Sequence, residues 1–463
     1  MATVENRTRM IKFAITMLIP AMILLVPVSE IFTHEMKLFI AFTVWMLMWA
    51  AFELTDLFVP AIVWPVLMVI FKVLPATTVY SSYLSTVVFA CIAGIILGAV
   101  LDRIGLLRRI SYHILITCGG SFTRTIFALF LACSLMSILT FMGAVLIIAT
   151  MCFGLCKAMN LKPHSKEGVI IMMTGMLAAS TIRMFIYCPT HVGLLVGAIQ
   201  TVDPTFTISV IDLLKYNWPV LIYCVFFIWL MVFINKKSIQ QDSATGLEYF
   251  KTELAAMGSM TMVEKKATVI VLGTMLAILS NPLHKIDGMI IIMLGTALLF
   301  VPGIDVGKQE DTKSVSIGMI LFIGSCMAIG AGCNELGLTK ILSGALAPVL
   351  SQLSPFWILI GIILFGVVMN LPMTPLAMLA ALSAPLYAVG TAAGANPMAI
   401  AFAFLFSTDM VFLPFQYVVF LIFFSFNMMN NMQFIKYHAL KDLLFLVFYV
   451  VVIVPWWKLV GLI

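Results

Sequence analysis

The stretch "AASTIRMFIYCPTHVGLL", Ala178 to Leu195, has the apolar character of a membrane segment, yet it carries an arginine, a histidine, a proline and a Ser-Thr pair. Far downstream, "FLFSTDMVFLPFQYVVF", Phe404 to Phe420, repeats the pattern with an aspartate in place of the arginine. The first segment supplies Ser180, Thr181, Arg183, Pro189, Thr190 and His191, and the second Ser407, Thr408, Asp409, Pro414 and Gln416. Proline removes a backbone donor and clashes with the preceding turn, freeing carbonyls and amides that hydroxyls can satisfy or replace. Each segment therefore reads as a helix broken near mid-depth in a bilayer. Unwound carbonyls there can hold a cation, and half-helix N-termini can face an anion.

Composition places both segments in a membrane protein. The chain of 463 residues is 63% hydrophobic and 10% charged, with a mean hydropathy of +1.14, against about 25% charged residues in soluble domains. Apolar runs of about 20 residues, long enough to cross the hydrocarbon core, recur from end to end. Their lack of alternation excludes a barrel and leaves helices. The nine cysteines show no disulfide or metal spacing and read as small core residues. The run after Arg7, Arg9 and Lys12 lacks a small-residue cleavage site and reads as the first transmembrane helix.

Eleven spans are expected, near 12–28, 37–54, 57–74, 84–102, 168–200, 216–235, 267–281, 286–302, 314–334, 396–427 and 442–461. Two further apolar stretches, 124–157 and 355–390, are interrupted at "TFMGAV" and "NLPMTPLA" and read as re-entrant helical hairpins. Loop charges support the hairpins. With a cytoplasmic N-terminus and both hairpins returning to their own side, 19 of the 26 Lys and Arg residues, Lys441 among them, fall on the cytoplasmic side. Making 124–157 a full crossing would invert every later basic loop. The polar segment 236–266 reads as a cytoplasmic connector between halves.

The halves are related. "GAVLDRIGLLRRI" (98–110) resembles "GAGCNELGLTKIL" (330–342) at an offset of 232 residues, and each is followed by a hairpin and then a broken helix. Their order is the same and their membrane orientation opposite, the architecture of inverted-repeat secondary transporters with a midplane site. The fold class is thus an all-α polytopic membrane protein. Residues 1–83 and 267–313 are expected as scaffold helices, with 84–235 and 314–463 as the two repeats.

Several residues carry candidate chemistry. A charge such as Arg183 at mid-depth costs about 3 kcal/mol on insertion scales. Arg183 either holds an anionic substrate, stands in for a coupling cation, or pairs with Asp409. Asp409 is in turn a candidate proton or cation site, and His191 either titrates or is a hydrogen-bonded structural residue. The first hairpin tip offers Gly143, Ala144 and backbone groups, and the second Asn370, Thr374 and Pro375, where close backbone approach can recognise a carboxylate or sulfate. No metal spacing, P-loop or nucleophile–base pair is present, so no enzyme is expected, and the net charge of +6 points to loop asymmetry and not to nucleic acid.

This order of elements resembles the divalent anion/sodium symporter family, which includes di- and tricarboxylate and sulfate transporters. The resemblance runs over nearly the whole chain and is carried by "DRIGLLRRI", "NELGLTKIL", "GANPMA" (394–399) and "PFQYVVF". It implies a homodimeric elevator transporter of a small anion in a bacterial inner membrane, with no cofactor beyond sodium or a proton as coupling ion. That family's tips usually carry Ser-Asn-Thr. Here Gly143-Ala144-Val145 and Met373-Thr374-Pro375 stand in those places, and Pro414-Phe415-Gln416 stands where Pro-Pro-Asn is usual. With the tips departing, Arg183 is expected to supply charge that sodium supplies elsewhere, favouring exchange or proton coupling. Two other readings are a metalloid or other ion permease and a transport-dead sensor that keeps the fold.

Overall fold

The computed structural model describes residues 2–30, 32–52, 54–141, 144–236, 244–371 and 373–463, excluding the side chains of 2–8, 244–246, 282, 343, 347, 349 and 415. All regular structure among them is helical. The order is α1 (Ala2–Leu24), α2 (His34–Ala51), α3 (Phe58–Ile70), α4 (Ala76–Ser81), α5 (Thr86–Arg103), α6 (Leu106–Cys118), α7 (Phe122–Leu139), α8 (Val145–Ala158), α9 (Lys166–Ser180), α10 (Leu194–Gln200), α11 (Val210–Asn217) and α12 (Pro219–Asn235). The second half runs α13 (Ala244–Ala256), α14 (Met262–Leu279), α15 (Asn281–His284), α16 (Gly288–Leu298), α17 (Ile317–Glu335), α18 (Leu338–Leu350), α19 (Pro355–Met369), α20 (Pro375–Ala392), α21 (Pro397–Ser407), α22 (Val418–Ser425), α23 (Asn431–Phe448) and α24 (Val454–Leu459). Among the described residues, six helical spans are long and apolar enough to cross a membrane by themselves, or seven if α11 and α12, bent by 54°, count as one.

The repeat is visible in local geometry. α5 and α17 both end on a left-handed glycine, Gly105 at φ +79° and Gly337 at φ +74°. The closing bonds match at the same offset: Gly105 N donates to Asp102 O and Gly337 N to Asn334 O. A glycine past the last turn tolerates positive φ without a Cβ penalty, so "D-R-I-G" and "N-E-L-G" stop their helices alike. Each stop is followed by a 13-residue helix, α6 or α18.

Both interrupted stretches form helix–turn–helix pairs, α7 with α8 and α19 with α20, and both opening segments break. α9 passes into a 3-10 turn at Thr181–Met184 and a π turn at Pro189–Gly193 before α10, and α21 is followed by a 3-10 turn at Pro414–Gln416 before α22. The halves interlock. α9 lies against α7 and α8, and α21 against α19 and α20, while α10 crosses to α20 and α22 crosses to α8. α9 is the innermost element: within Lys166–Met184, 94% of the apolar window is buried. Its sequence is apolar on every side, as a fully enclosed helix requires, and Thr174 hides its hydroxyl by donating to Ile170 O at 2.8 Å.

One expectation needs correction. The eleventh span, expected over 442–461, starts at Asn431, where Asn430 and Gln433 form a capping box. Lys441, assigned to the cytoplasmic side, lies in the middle of α23 and is buried. A charged pair at 441–442 reads as a loop when no partner is visible, and here its partners come from elsewhere in the fold. Arg109, also assigned to the cytoplasmic side, is likewise buried: its Nε donates to Glu264 at 2.7 Å, and its other nitrogens hold Gly258 O and Met257 O. This ties the end of the connector, whose helix α13 packs on α6 and α8, to the first repeat.

Candidate functional site

The two breaks meet. At the end of α9 the chain leaves α-helical geometry at Ser180 (φ −120°, ψ −53°), which turns Arg183 inward until it is fully buried. Its Nη1 donates to the Tyr417 hydroxyl at 2.7 Å and its Nη2 to Thr408 O at 3.2 Å, a carbonyl at the end of α21 that has no helical continuation to bond it. The guanidinium also sits 5.0 Å from the centroid of the Tyr417 ring. A protein cation thus occupies the negative end of the opposing half-helix.

Asp409 receives more from Lys441 than from Arg183. Thr181 Oγ1 donates to Asp409 Oδ2 at 2.9 Å, and Lys441 Nζ donates to the same oxygen at 3.0 Å and to Asp409 O at 2.7 Å. Arg183 Nη2 lies 3.3 Å from Oδ1, but off the hydrogen-bond direction, so that Oδ1 and Arg183 Nε both lack a hydrogen-bonding partner. Lys441 also lies 3.1 Å from Asp442 Oδ1. Arg183, Lys441, Asp409 and Asp442 therefore form a buried quartet whose charges cancel when all four are ionised. Burying four ions is tolerable only because each cation faces a carboxylate.

Both hairpin tips are tied to the breaks by the residues flanking the prolines. At the first, Cys188 Sγ donates to Phe141 O at 3.7 Å, and Ala144 N donates to Thr140 Oγ1 at 3.1 Å. At the second, Gln416 Nε2 donates to Asn370 O at 2.7 Å, while Gln416 Oε1 accepts from Phe412 N and Leu413 N. Asn370 Nδ2 in turn donates to Ser407 O at 2.7 Å and Met410 O at 2.9 Å, leaving its Oδ1 unpartnered. The seat is close-fitting: a Cβ on Gly366 of α19 would stand 1.9 Å from Ser407 Oγ. Gln416→Ala is expected to leave one buried and two half-buried backbone groups unpaired and to cost about 2–4 kcal/mol at about 1 kcal/mol or more each, read as a fall in the unfolding midpoint of the detergent-purified protein.

Of the residues singled out from sequence, Thr181, Arg183, Thr408 and Asp409 are in direct contact. His191 joins them through Tyr417, its Nε2 lying 3.2 Å from that hydroxyl, and Thr190 Oγ1 lies 3.0 Å from His191 Nδ1. Asn370, Ser407 and Gln416 form the neighbouring cluster, and Ser180 lies 3.4 Å from Thr181. Pro189 and Pro414 open their turns, while Pro375 opens α20. Thr374 caps α20 through Ala377 N and makes no bond to the quartet. Ala144 is buried at its tip, and Gly143 lies outside the described residues. Sequence reasoning missed Tyr417, Lys441 and Asp442. The first followed "PFQ" unremarked; the other two were hidden by a helix start placed too late, which the N-x-x-Q capping box at Asn430 signals.

Comparison with known proteins bears on the family and the fold. The family model described as the sodium:sulfate symporter transmembrane region matches residues 7–463. A sequence search of curated proteins finds no match. Among solved structures, the chain is similar to the Alcanivorax borkumensis YdaH transporter, described as having an unusual topology. That likeness has a TM-score of 0.57 at 16% identity, over 93% of this chain and 99% of that one. It is also similar to Neisseria gonorrhoeae MtrF, described as illuminating a class of antimetabolite efflux pumps, with a TM-score of 0.52 at 14% identity, over 92% and 95%. At such identities the likeness is one of fold.

Proposed function

We propose that this chain, which belongs to the sodium:sulfate symporter family, is a secondary transporter of a small anion, a di- or tricarboxylate or sulfate, bound where its two broken helices meet. Membership bears out the resemblance read from the repeat and from the proline motifs. The observation that carries the substrate reading is the division of labour within the quartet. Asp409 already holds two good hydrogen bonds, from Thr181 and Lys441. Its contact with Arg183 is unaligned, and Arg183 Nε donates to nothing. An incoming carboxylate or sulfate oxygen can take Arg183 as partner while Lys441 keeps its hydrogen bond to Asp409.

In this reading Thr190, His191, Thr374 and the backbone at Ala144 complete the anion site, Pro375, which lacks an N–H, opens α20 beside it, and Ser180, Ser407, Asn370 and Gln416 shape it. Movement is of the elevator type. The hairpins and broken helices of 84–235 and 314–463 carry the anion across helices drawn from 1–83 and 267–313, within a homodimer in a bacterial inner membrane with the N-terminus cytoplasmic. Arg183 and Lys441 hold Thr408 O and Asp409 O, the unwound carbonyls that a coupling cation would take, so transport is expected to proceed without sodium despite the family's name. Uptake of labelled sulfate, succinate, citrate and tartrate into proteoliposomes, with and without a sodium gradient, tests this. Strict sodium dependence overturns the role given to the two cations. The balance of charge within the quartet favours a second reading, a sensor that keeps the fold, and that reading prevails if none of the four anions supports counterflow or raises thermal stability.

A further inference from the structure

Asp442 is 2% exposed, yet no hydrogen bond reaches either of its carboxylate oxygens. Its close contact is Lys441 Nζ at 3.1 Å, an ammonium that already donates twice to Asp409. The other ionisable groups near Asp442 are Asp409 from the second break and, from α12, Tyr223, whose hydroxyl donates to Lys441 O, with Cys224 beside it. On its own helix, His438 is stacked 4.0 Å from Phe434 with both ring nitrogens unpartnered. Arg183 is the remaining charge, reached through Asp409. Of the two carboxylates, Asp409 faces two cations and accepts from a threonine, whereas Asp442 shares one cation and accepts from nothing.

We infer that Asp442 is a proton-binding site whose occupancy sets whether Arg183 is free to take an anion. When Asp442 is ionised, Lys441 is divided between two carboxylates and Asp409 leans on Arg183, so the quartet is neutral and an added anion would bury uncompensated charge. A proton from solvent placed on an Asp442 carboxylate oxygen commits Lys441 to Asp409. The quartet then carries one net positive charge, located on Arg183, which offsets one of the two negative charges of sulfate or tartrate. One proton is taken up with each bound anion and released with it. This rests on the anion reading above and adds to it the coupling group.

The experiment uses the full-length purified protein with sulfate and tartrate, whose own ionisation is complete across the neutral range. Anion affinity of the wild type is expected to fall by about tenfold for each unit rise in pH, with about one proton taken up per anion bound in weakly buffered solution. Asp442→Asn, which resembles the protonated carboxyl, is expected to bind with the wild type's acid-end affinity at every pH and to take up no proton. Asp442→Glu is expected to restore the slope. A wild-type slope retained in Asp442→Asn, or anion binding by the wild type without proton uptake, overturns the inference while leaving the anion site standing. Absence of anion binding at every pH overturns the anion reading itself. If Asp442→Asn does not fold, the wild-type proton count decides alone.

Discussion

Arg183→Ala is expected to abolish anion counterflow and to destabilise the protein by about 3–5 kcal/mol, the range found when one partner of a buried ion pair is removed. Three interactions are lost together: the hydrogen bond to the Tyr417 hydroxyl, the one to Thr408 O at the end of α21, and the ion-pair contact with Asp409. The quartet is left with a net negative charge deep in the fold. The double variant Arg183→Ala/Asp409→Asn removes that excess and is expected to recover a large part of the lost stability, because neighbouring charges couple non-additively, while transport stays absent. Arg183→Lys keeps the charge but loses the planar fork that reaches Tyr417 and Thr408 at once, and it is expected to fold well and transport poorly. The checks are unfolding midpoints in detergent and counterflow in liposomes. Full transport by the stable double variant would reduce Arg183 to a structural ion.

Lys441→Met is expected to be comparably severe, about 3–5 kcal/mol, because it leaves Asp409 and Asp442 as two buried carboxylates with Arg183 as their one cation. Asp409 O also loses its ammonium donor. Neutralising Asp442 as well, in Lys441→Met/Asp442→Asn, balances the charge again and is expected to restore much of the loss. Methionine fills the stem volume of lysine, so packing against Phe420, whose ring centroid lies 5.7 Å from the ammonium, is largely kept. Equal midpoints for the single and double variants would show that charge balance does not govern this region.

The pairings that make the site were not legible in the chain. Arg183 and its hydrogen-bonding partner Tyr417 are 234 residues apart, and nothing local marks that tyrosine. Lys441 looked like a loop residue because a basic residue beside an aspartate, at the edge of an apolar run, ordinarily sits in water. The two helix–turn–helix pairs, by contrast, were legible at the interruptions "TFMGAV" and "NLPMTPLA", and loop charge is the ground on which each is proposed to return to its own side. The connector was also legible as a polar segment, but its clamp, Arg109 on Glu264, joins the first turns of α6 and α14, which look equally solvated in sequence.

What the sequence determined by itself follows from short-range physics. Apolar run length dictates helices in a bilayer. Proline beside hydroxyl and charge dictates where "STIRMFIYCPTH" and "STDMVFLPFQ" must break, and Gly105 and Gly337 dictate where two repeat helices stop. Whether Arg183 pairs with Asp409 or stays available was a question for the tertiary structure. The answer depends on a third and a fourth ion, Lys441 and Asp442, brought in on α23. In a medium of low dielectric each buried charge is set by its nearest counter-charges, and those are chosen by packing across the whole fold.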